Sequence, residues 1–448
     1  GADTRAYFAV VVADTLLAPP TANLLLSGLR VDVQFLAEAL AKIGIEAEVT
    51  AVSPYKSGGD TFTRTTISAE SRTQLERILE QRYSTIVETI ATARQLSGEV
   101  VRTTIDQALL TAKAAERAGF LDATCYEDEI EHFLQGAIGE TTKAQRIHIS
   151  EWSSAQRALQ QPYRKRHKRY VAVVSVEGAI SGGQSRRSPL PLPIIGGAQA
   201  GSDSISYAVR QVERNPRVAA LVLHIDSPGG DSFASDLIWR EVLRLRTKKP
   251  VVVSMGNVAA SGGYYIAACA HAIVAEPATL TGSIGVYSLR PSAEKLFEQL
   301  GVHTVTLSRG AQSGLFAVNE RPDDEERTII RRSVFETYDI FKQRVRDGRG
   351  LSEEQLEPIA GGRVWTGVEA AQLGLVDLLG GLPQAIAKAQ ELAGLPIDAQ
   401  APLLRVRGGT ALIPPPFPPT SPETLNALIK EVLRPRLLAA LDWVALDR

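Results

Sequence analysis

The sequence predicts an α/β protein built from two tandem copies of one unit, with parallel sheets and crossover helices, the first copy truncated on its N-terminal side. Two observations predict it. Apolar strand-like runs alternate with helical periodicity between residues 170 and 270, as expected where parallel strands are joined by crossover helices. The chain also aligns with itself, which reveals a repeated architecture before any single element is considered.

A shift of 257 puts Tyr7-Phe8 on Tyr264-Tyr265, Ala13 on Ala270, Leu16-Leu17 on Ile273-Val274, Pro20 on Pro277, Gly28 on Gly285, Gly44 on Gly301 and Arg64 on Arg321. After a two-residue adjustment the shift is 255, and Tyr83 meets Tyr338, Thr111 meets Thr366, Gly119 meets Gly374 and Asp122 meets Asp377. The second copy begins near residue 170, whereas the first opens at the equivalent of 258, so roughly 89 residues of the first copy are expected to be missing. The chain also starts at Gly1 rather than Met, which fits an absent N-terminal portion. The expected division is 1–159 for the incomplete first copy, 160–168 for a linker, 169–395 for the complete second copy and 396–448 for a tail.

Within the second copy the expected order is a strand at 171–176, a helix around 204–215 and a buried strand at 219–225. A helix at 233–245, a strand at 251–254 and a helix from Gly263 follow. The Gly-, Pro- and Ser-rich stretch 182–203 reads either as a mobile loop near the site or as a plain surface excursion. The linker's basic cluster, Arg164-Lys165-Arg166-His167-Lys168, reads as a solvated connection. The proline run 414–419 excludes helix, because proline lacks the amide donor and fixes φ. Beyond it, Leu425, Leu428, Ile429, Val432 and Leu433 recur at helical spacing, predicting a terminal helix that packs on the body.

Composition narrows the function. The 448 residues carry 49 Lys+Arg against 50 Asp+Glu, a net charge of −1, without the basic excess of a protein built around nucleic acid. Only Cys125 and Cys269 occur, so a disulfide framework is not expected, and Cys269 lies in an apolar run that reads as core. The six histidines show no metal-ligand spacing, and no metal or other cofactor is predicted. No run of about 18 apolar residues suggests a membrane span.

Two motifs fall at the carboxyl ends of predicted strands, where ligands bind in sheets of this kind. The first is Asp226-Ser227-Pro228-Gly229-Gly230-Asp231. Its adjacent glycines let the backbone turn sharply and present amides to an oxyanion. The second, Asn257 to Tyr265, places Ser261 among small neighbours at a helix start, where developing negative charge meets the positive end of the helix dipole. A serine nucleophile needs a base, and His, Lys or a carboxylate can serve. His224 lies inside a strand and His271 one helix length away, so both read as structural. A lysine serves only when uncharged, which requires burial to bring its pKa from near 10.4 toward roughly 7–8.

The chain resembles the tandem-repeat signal peptide peptidase A (protease IV) family of ClpP/crotonase-like fold over nearly its whole length to about residue 395. The resemblance rests on Ser227-Pro228-Gly229-Gly230, Ala260-Ser261-Gly262-Gly263-Tyr264-Tyr265, Thr281-Gly282-Ser283-Ile284-Gly285, Gly362-Arg363-Val364-Trp365-Thr366-Gly367 and Tyr55-Lys56-Ser57. It implies a serine peptidase with a Ser–Lys dyad, the serine from the second copy and the lysine from the first, matched here by Ser261 and Lys56. It further implies peptide substrates such as cleaved signal peptides, a homotetramer, and tethering to the bacterial cytoplasmic membrane with the catalytic part on the periplasmic side, the anchor lying in the absent N-terminal part.

The repeat supports that division of labour independently. At the shift of 257 Lys56 falls on Ser313 and Ser261 on Thr4, so each copy lacks what the other retains. One composite site per chain is the simplest explanation, with Thr4 a weaker second nucleophile. Amides of Gly229 or Gly230, with Gly262, are expected to hold the oxyanion, and Ser283 to orient the lysine. Two other readings compete: a crotonase-type acyl-CoA enzyme, and a peptide-binding pseudoprotease whose groove survives without turnover.

Overall fold

The computed structural model describes residues 2–138, 169–188, 197–398, 401–408, 410–412 and 436–440. The chain divides into two compact units, Gly1–Val31 with Glu76–Arg166, and Asp32–Leu75 with His167–Arg448. In chain order the first strands are β1 (Ala2–Asp3), β2 (Leu17–Ala18), β3 (Asn23–Leu25), β4 (Glu46–Ala51), β5 (Leu109–Thr111) and β6 (Ala123–Thr124). From β7 (Tyr170–Glu177) the chain continues through β8 (Ala179–Ser181), β9 (Ser185–Ser188), β10 (Gly197–Gly201), β11 (Val218–Ser227), β12 (Gly229–Asp231) and β13 (Val251–Ala260). It ends with β14 (Ala272–Ala275), β15 (Leu280–Gly282), β16 (Tyr287–Ser292), β17 (Val364–Thr366), β18 (Leu378–Leu379), β19 (Leu403–Arg405), β20 (Thr410–Leu412) and β21 (Arg436–Ala440).

The main sheet runs β17-β15-β13-β11-β7-β19, with β14 on β13, and every pairing in it except β15 with β17 is parallel. Both faces are covered. Leu221, Leu223 and Ile225 share one core with Val209, Val242 and Phe341 from crossover helices. Val171, Val222 and Val252 pack against Ala385 and Ala389 of helix Leu382–Leu392 on the other. This double burial is why β11 reads as a continuous apolar run rather than an alternation. The helices expected around 204–215 and 233–245 span Ser202–Arg214 and Ser232–Arg246. The expected strand at 251–254 continues to Ala260, because Ser227 pairs with Ala259 beyond an irregularity in β11, carrying the ladder past Met255.

The tandem copies are visible in the pairings. Parallel contacts Ala2 with Leu24 and Asp3 with Leu25 recur as Ala259 with Thr281 and Ala260 with Gly282. Antiparallel contacts Asn23 with Thr111 and Leu24 with Leu110 recur as Leu280 with Thr366 and Thr281 with Trp365. Leu17 with Ala123 recurs as Val274 with Leu378. The two longest helices among the described residues, Ala69–Arg94 and Asp324–Arg349, have 26 residues each at the same shift of 255. Side chains repeat too: the Tyr7 hydroxyl donates to the Phe120 carbonyl at 2.7 Å, and that of Tyr264 to the Leu375 carbonyl at 2.9 Å. Asp122 accepts from the Leu16 amide and pairs with Arg94; Asp377 accepts from the Ile273 amide and pairs with Arg349.

The compact units cut across the copies. Residues 32–75, early in the first copy, group with the second, because β4 pairs antiparallel with β16 over six residues, from Tyr287 with Ala51 to Ser292 with Glu46. The stretch 182–203 is not simply a loop: β9 and β10 pair antiparallel at its ends, with β10 also parallel to β8, and 189–196 lie outside the described residues. The linker 160–168, the proline run and the terminal helix expected around 425–433 also lie outside them.

Candidate active site

The ladder of β4 on β16 delivers Lys56. Past Ala51 the Val52 amide donates to the Val286 carbonyl at 3.2 Å, and the chain then turns, with the Lys56 amide donating to the Ser53 carbonyl at 3.1 Å. The Ser53 hydroxyl donates to the Gly361 carbonyl and fixes that turn. Lys56 thereby enters the second copy's interior, only 2% exposed. Its Nζ lies 2.7 Å from Ser261 Oγ, 2.9 Å from Ser283 Oγ and 3.0 Å from the Ser283 carbonyl oxygen. Ser261 and Ser283 are buried at 0% and 1% exposure, so bulk water does not compete for these contacts.

Ser261 sits where β13 gives way to helix Gly262–Ala267, with φ 52° and ψ −117°. A positive φ is uncommon for a residue with a side chain. Two bonds hold the conformation: the Ser261 amide donates to the Gly282 carbonyl at 2.8 Å, and the Tyr265 amide to the Ser261 carbonyl at 2.8 Å. Ser283 is held similarly, with φ 50°, its amide donating to the Arg363 carbonyl at 2.7 Å. The segment Gly362 to Thr366 thus backs the site, and Gly362 is the residue whose role sequence reasoning missed. A Cβ there would come within 2.7 Å of Lys56 Cβ and 2.8 Å of its Cα, and φ is +85°. Only glycine leaves room for the lysine stem.

The glycine loop lies beside the serine. A Cβ added to Gly262 would meet the Gly230 nitrogen at 3.2 Å and Gly229 Cα at 3.3 Å. The Gly229 amide donates to Ser227 Oγ at 3.1 Å, a bond the motif alone did not reveal. This leaves Gly230 and Gly262 as the amides to weigh for an oxyanion. Strand β12 carries β21 antiparallel along its edge, Gly229 opposite Ala440 and Gly230 opposite Ala439, and β21 continues onto β16.

The remaining candidates lie elsewhere. His224 Nδ1 contacts Ser254 Oγ at 3.3 Å, and His271 Nδ1 accepts from the Val251 amide at 3.1 Å. Neither contacts the serine through the nitrogen so engaged. Cys125 and Cys269 are both free thiols in buried residues, and burial pushes the Cys269 thiol up to about 12. Thr4, the counterpart of Ser261, opens helix Thr4–Val10 with its hydroxyl near the Leu25 carbonyl and accepting from the Ser27 amide at 3.1 Å. Among the described residues no group of three or more His, Cys, Asp or Glu is placed to hold a metal ion, and no helix is long and apolar enough to cross a membrane.

Comparison with solved structures returns a mutant of ClpP1 from Listeria monocytogenes at 16% identity and TM-score 0.32, covering 48% of this chain and 94% of that one. It also returns a mutant of the 1510-N membrane-bound stomatin-specific protease, at 17% identity and TM-score 0.30, covering 55% and 99%. Among curated proteins, the chain is 34% identical to the chloroplastic serine protease SPPA of Arabidopsis thaliana over 92% of its own length and 60% of the relative's. It is 30% identical to protease 4 of Haemophilus influenzae over 86% of its length and 62% of that protein's. The chain therefore spans about three fifths of the length of these relatives. The profile of Peptidase family S49 matches residues 2–137 and 244–396, well over half of the sequence, and the chain belongs to that family.

Proposed function

We propose that the chain is a serine endopeptidase with Ser261 as nucleophile and Lys56 as general base. The observation that carries this reading is the 2.7 Å contact between Lys56 Nζ and Ser261 Oγ in a water-excluded position. Three groups surround the amine. An uncharged amine has two N–H donors and one lone pair, which suits two bonds to Ser283 and one acceptor site for the Ser261 proton. Desolvation favours that uncharged form.

In the proposed reaction Nζ takes the Ser261 proton as Oγ bonds to the peptide carbonyl carbon. The Gly230 and Gly262 amides are the donors adjacent to the developing oxyanion. The carbon–nitrogen bond then breaks, and the Lys56 ammonium returns its proton to the leaving amine. Water, deprotonated by the same amine, attacks the Ser261 ester, and the acid is released as the ammonium returns that proton to Ser261 Oγ. Strand β12 is paired with β8 on one side and β21 on the other, so an extended peptide would run past the serine by strand addition only in the place that β21 takes. The reading takes in cleaved signal peptides and other apolar peptides as substrates, a homotetramer, and attachment to the bacterial cytoplasmic membrane with the site on its periplasmic side.

Ser261→Ala and Lys56→Ala each leave the far-ultraviolet spectrum unchanged and lower peptide turnover by at least about 10³-fold, in line with the loss of a nucleophile or its base. A Lys56→Ala enzyme retaining activity within tenfold removes the dyad. Failure of a fluorophosphonate to label wild-type Ser261 while labelling a control serine hydrolase, together with absent turnover, favours a peptide-binding groove without catalysis.

A further inference from the structure

The first copy sends a second side chain toward the proposed site. Gln74 lies in helix Ala69–Arg94 and is only 4% exposed. Its Oε1 accepts from the Val364 amide at 2.9 Å, although the two residues are 290 positions apart in sequence. That amide and the Arg363 carbonyl belong to one peptide group, and the Arg363 carbonyl accepts from the Ser283 amide at 2.7 Å. The peptide plane is therefore gripped on both edges, by Gln74 on its N–H and by Ser283 on its C=O. Ser283 in turn receives Lys56 Nζ on its hydroxyl at 2.9 Å and on its carbonyl at 3.0 Å. A continuous series of hydrogen bonds thus connects the carboxamide to the amine.

The repeat sets this contact apart from an ordinary brace. At the shift of 255 that aligns the two 26-residue helices, Gln74 falls on Ile329 and Val364 on Leu109. Contacts that the architecture needs recur in both copies, as Arg94 with Asp122 and Arg349 with Asp377 do. The carboxamide, like Lys56, stands in the first copy alone and acts on the second. Its cost points the same way. Gln74 Nε2 is buried and has no hydrogen-bond partner, and a buried donor left unpaired costs about 1–3 kcal/mol. Methionine would fill a similar volume without that cost. Packing does not call for a glutamine here, whereas an N–H that needs an acceptor does. Hydrogen bonds in series also polarise one another at low dielectric, so the bond to Val364 strengthens the hold of the Arg363 carbonyl on Ser283. That residue has φ 50°, a conformation a side-chain-bearing residue does not favour unaided.

We propose that Gln74 is a positioning residue: by holding the peptide between Arg363 and Val364 it fixes Ser283, and through Ser283 it aims Lys56 Nζ at Ser261. It acts through other residues and not on the substrate. The proposal rests on the peptidase reading above.

Gln74→Met keeps the volume and removes the acceptor. Gln74→Glu keeps an acceptor oxygen and removes the unpartnered donor. With an apolar peptide substrate, Gln74→Met is expected to lower kcat about tenfold, less than the roughly 10²-fold of a full 1 Å misplacement, with KM within about twofold. Gln74→Glu returns kcat to within about threefold of wild type. Amide hydrogen exchange of the intact chain needs no turnover. In Gln74→Met it should quicken by about tenfold or more at Val364 and Ser283, while Leu223 in the centre of β11 keeps its wild-type rate. Gln74→Asn, its oxygen one carbon short of the Val364 amide, takes the place of the methionine variant if that variant does not fold. A Gln74→Met enzyme with wild-type kcat, or with unchanged exchange at Val364 and Ser283, overturns the proposal and leaves the peptidase reading standing. A Gln74→Glu enzyme as slow as Gln74→Met does the same, because the effect then lies outside the acceptor. A wild type without peptide turnover overturns the peptidase reading and this role with it.

Discussion

Replacing Gly362 by alanine tests whether lysine placement, rather than lysine presence, sets the rate. The new Cβ would lie 2.7 Å from Lys56 Cβ, 2.8 Å from its Cα and 2.9 Å from its Cδ. Carbon atoms settle at about 3.5–4.0 Å, so the stem must retreat by about 1 Å. Nζ is 2.7 Å from Ser261 Oγ, and a misplacement of that size costs on the order of 10²-fold in rate. The backbone at φ +85° adds about 1–2 kcal/mol of instability. Gly350→Ala is the control. It too has positive φ, +67°, but a Cβ there meets nothing within 4 Å. With an apolar peptide substrate, well below the melting temperature of either variant, Gly362→Ala should lose about 100-fold in kcat and little in KM. Gly350→Ala should lose stability with a much smaller rate effect. A folded Gly362→Ala enzyme within threefold of wild type refutes the positioning role.

The remaining predictions concern the repeated framework. Asp377→Ala strips the Ile273 amide and the Arg349 guanidinium of their carboxylate and should cost about 1–3 kcal/mol, read as a lower denaturant midpoint at unchanged slope. Asp122→Ala does the same to Leu16 and Arg94. The Arg94 guanidinium beside Asp122 holds its carboxyl below the usual range. The stability this confers is complete above the ordinary carboxylate pKa of about 3.9 and is lost as pH falls through the lower folded value. The difference between wild type and Asp122→Asn should therefore shrink in acid; a difference that is constant between pH 7 and pH 2 would contradict that pairing.

The proposed pairing of Lys56 with Ser261 was legible because duplication left a record: Lys56 stands opposite Ser313 and Ser261 opposite Thr4, so each copy lacks what the other retains, which agrees with the motifs. The sheet was legible because strands buried on both faces have no alternation to misread. What was not legible depends on contacts between distant residues. The ladder of β4 on β16 joins segments about 240 residues apart, and no local periodicity announces which edge a strand will join. The bond from the Gly229 amide to Ser227 Oγ is set by the turn's own geometry, so a Pro-Gly-Gly motif does not say which amide stays available. Strands β9 and β10 were hidden in Gly- and Ser-rich sequence, where composition suggests a loop and only pairing with β8 makes a strand. Gly362 lay within a recognised motif, but its purpose emerges only when the stem of Lys56 is seen against it.

The positive φ at Ser261 and Ser283 also separates chemistry from architecture. Their counterparts at the shift of 257, Thr4 and Leu26, are not among the residues with that twist. The first copy keeps the surrounding pairings without that twist at these two positions, although Gln95 and Ala108 elsewhere in it also have positive φ. Two unfavourable backbone conformations of about 1–3 kcal/mol each thus stand side by side at the proposed site. Glycine at position 261 would suit the fold better and, on the proposed reading, would end the reaction, so folding alone gives no reason for a serine to stand there.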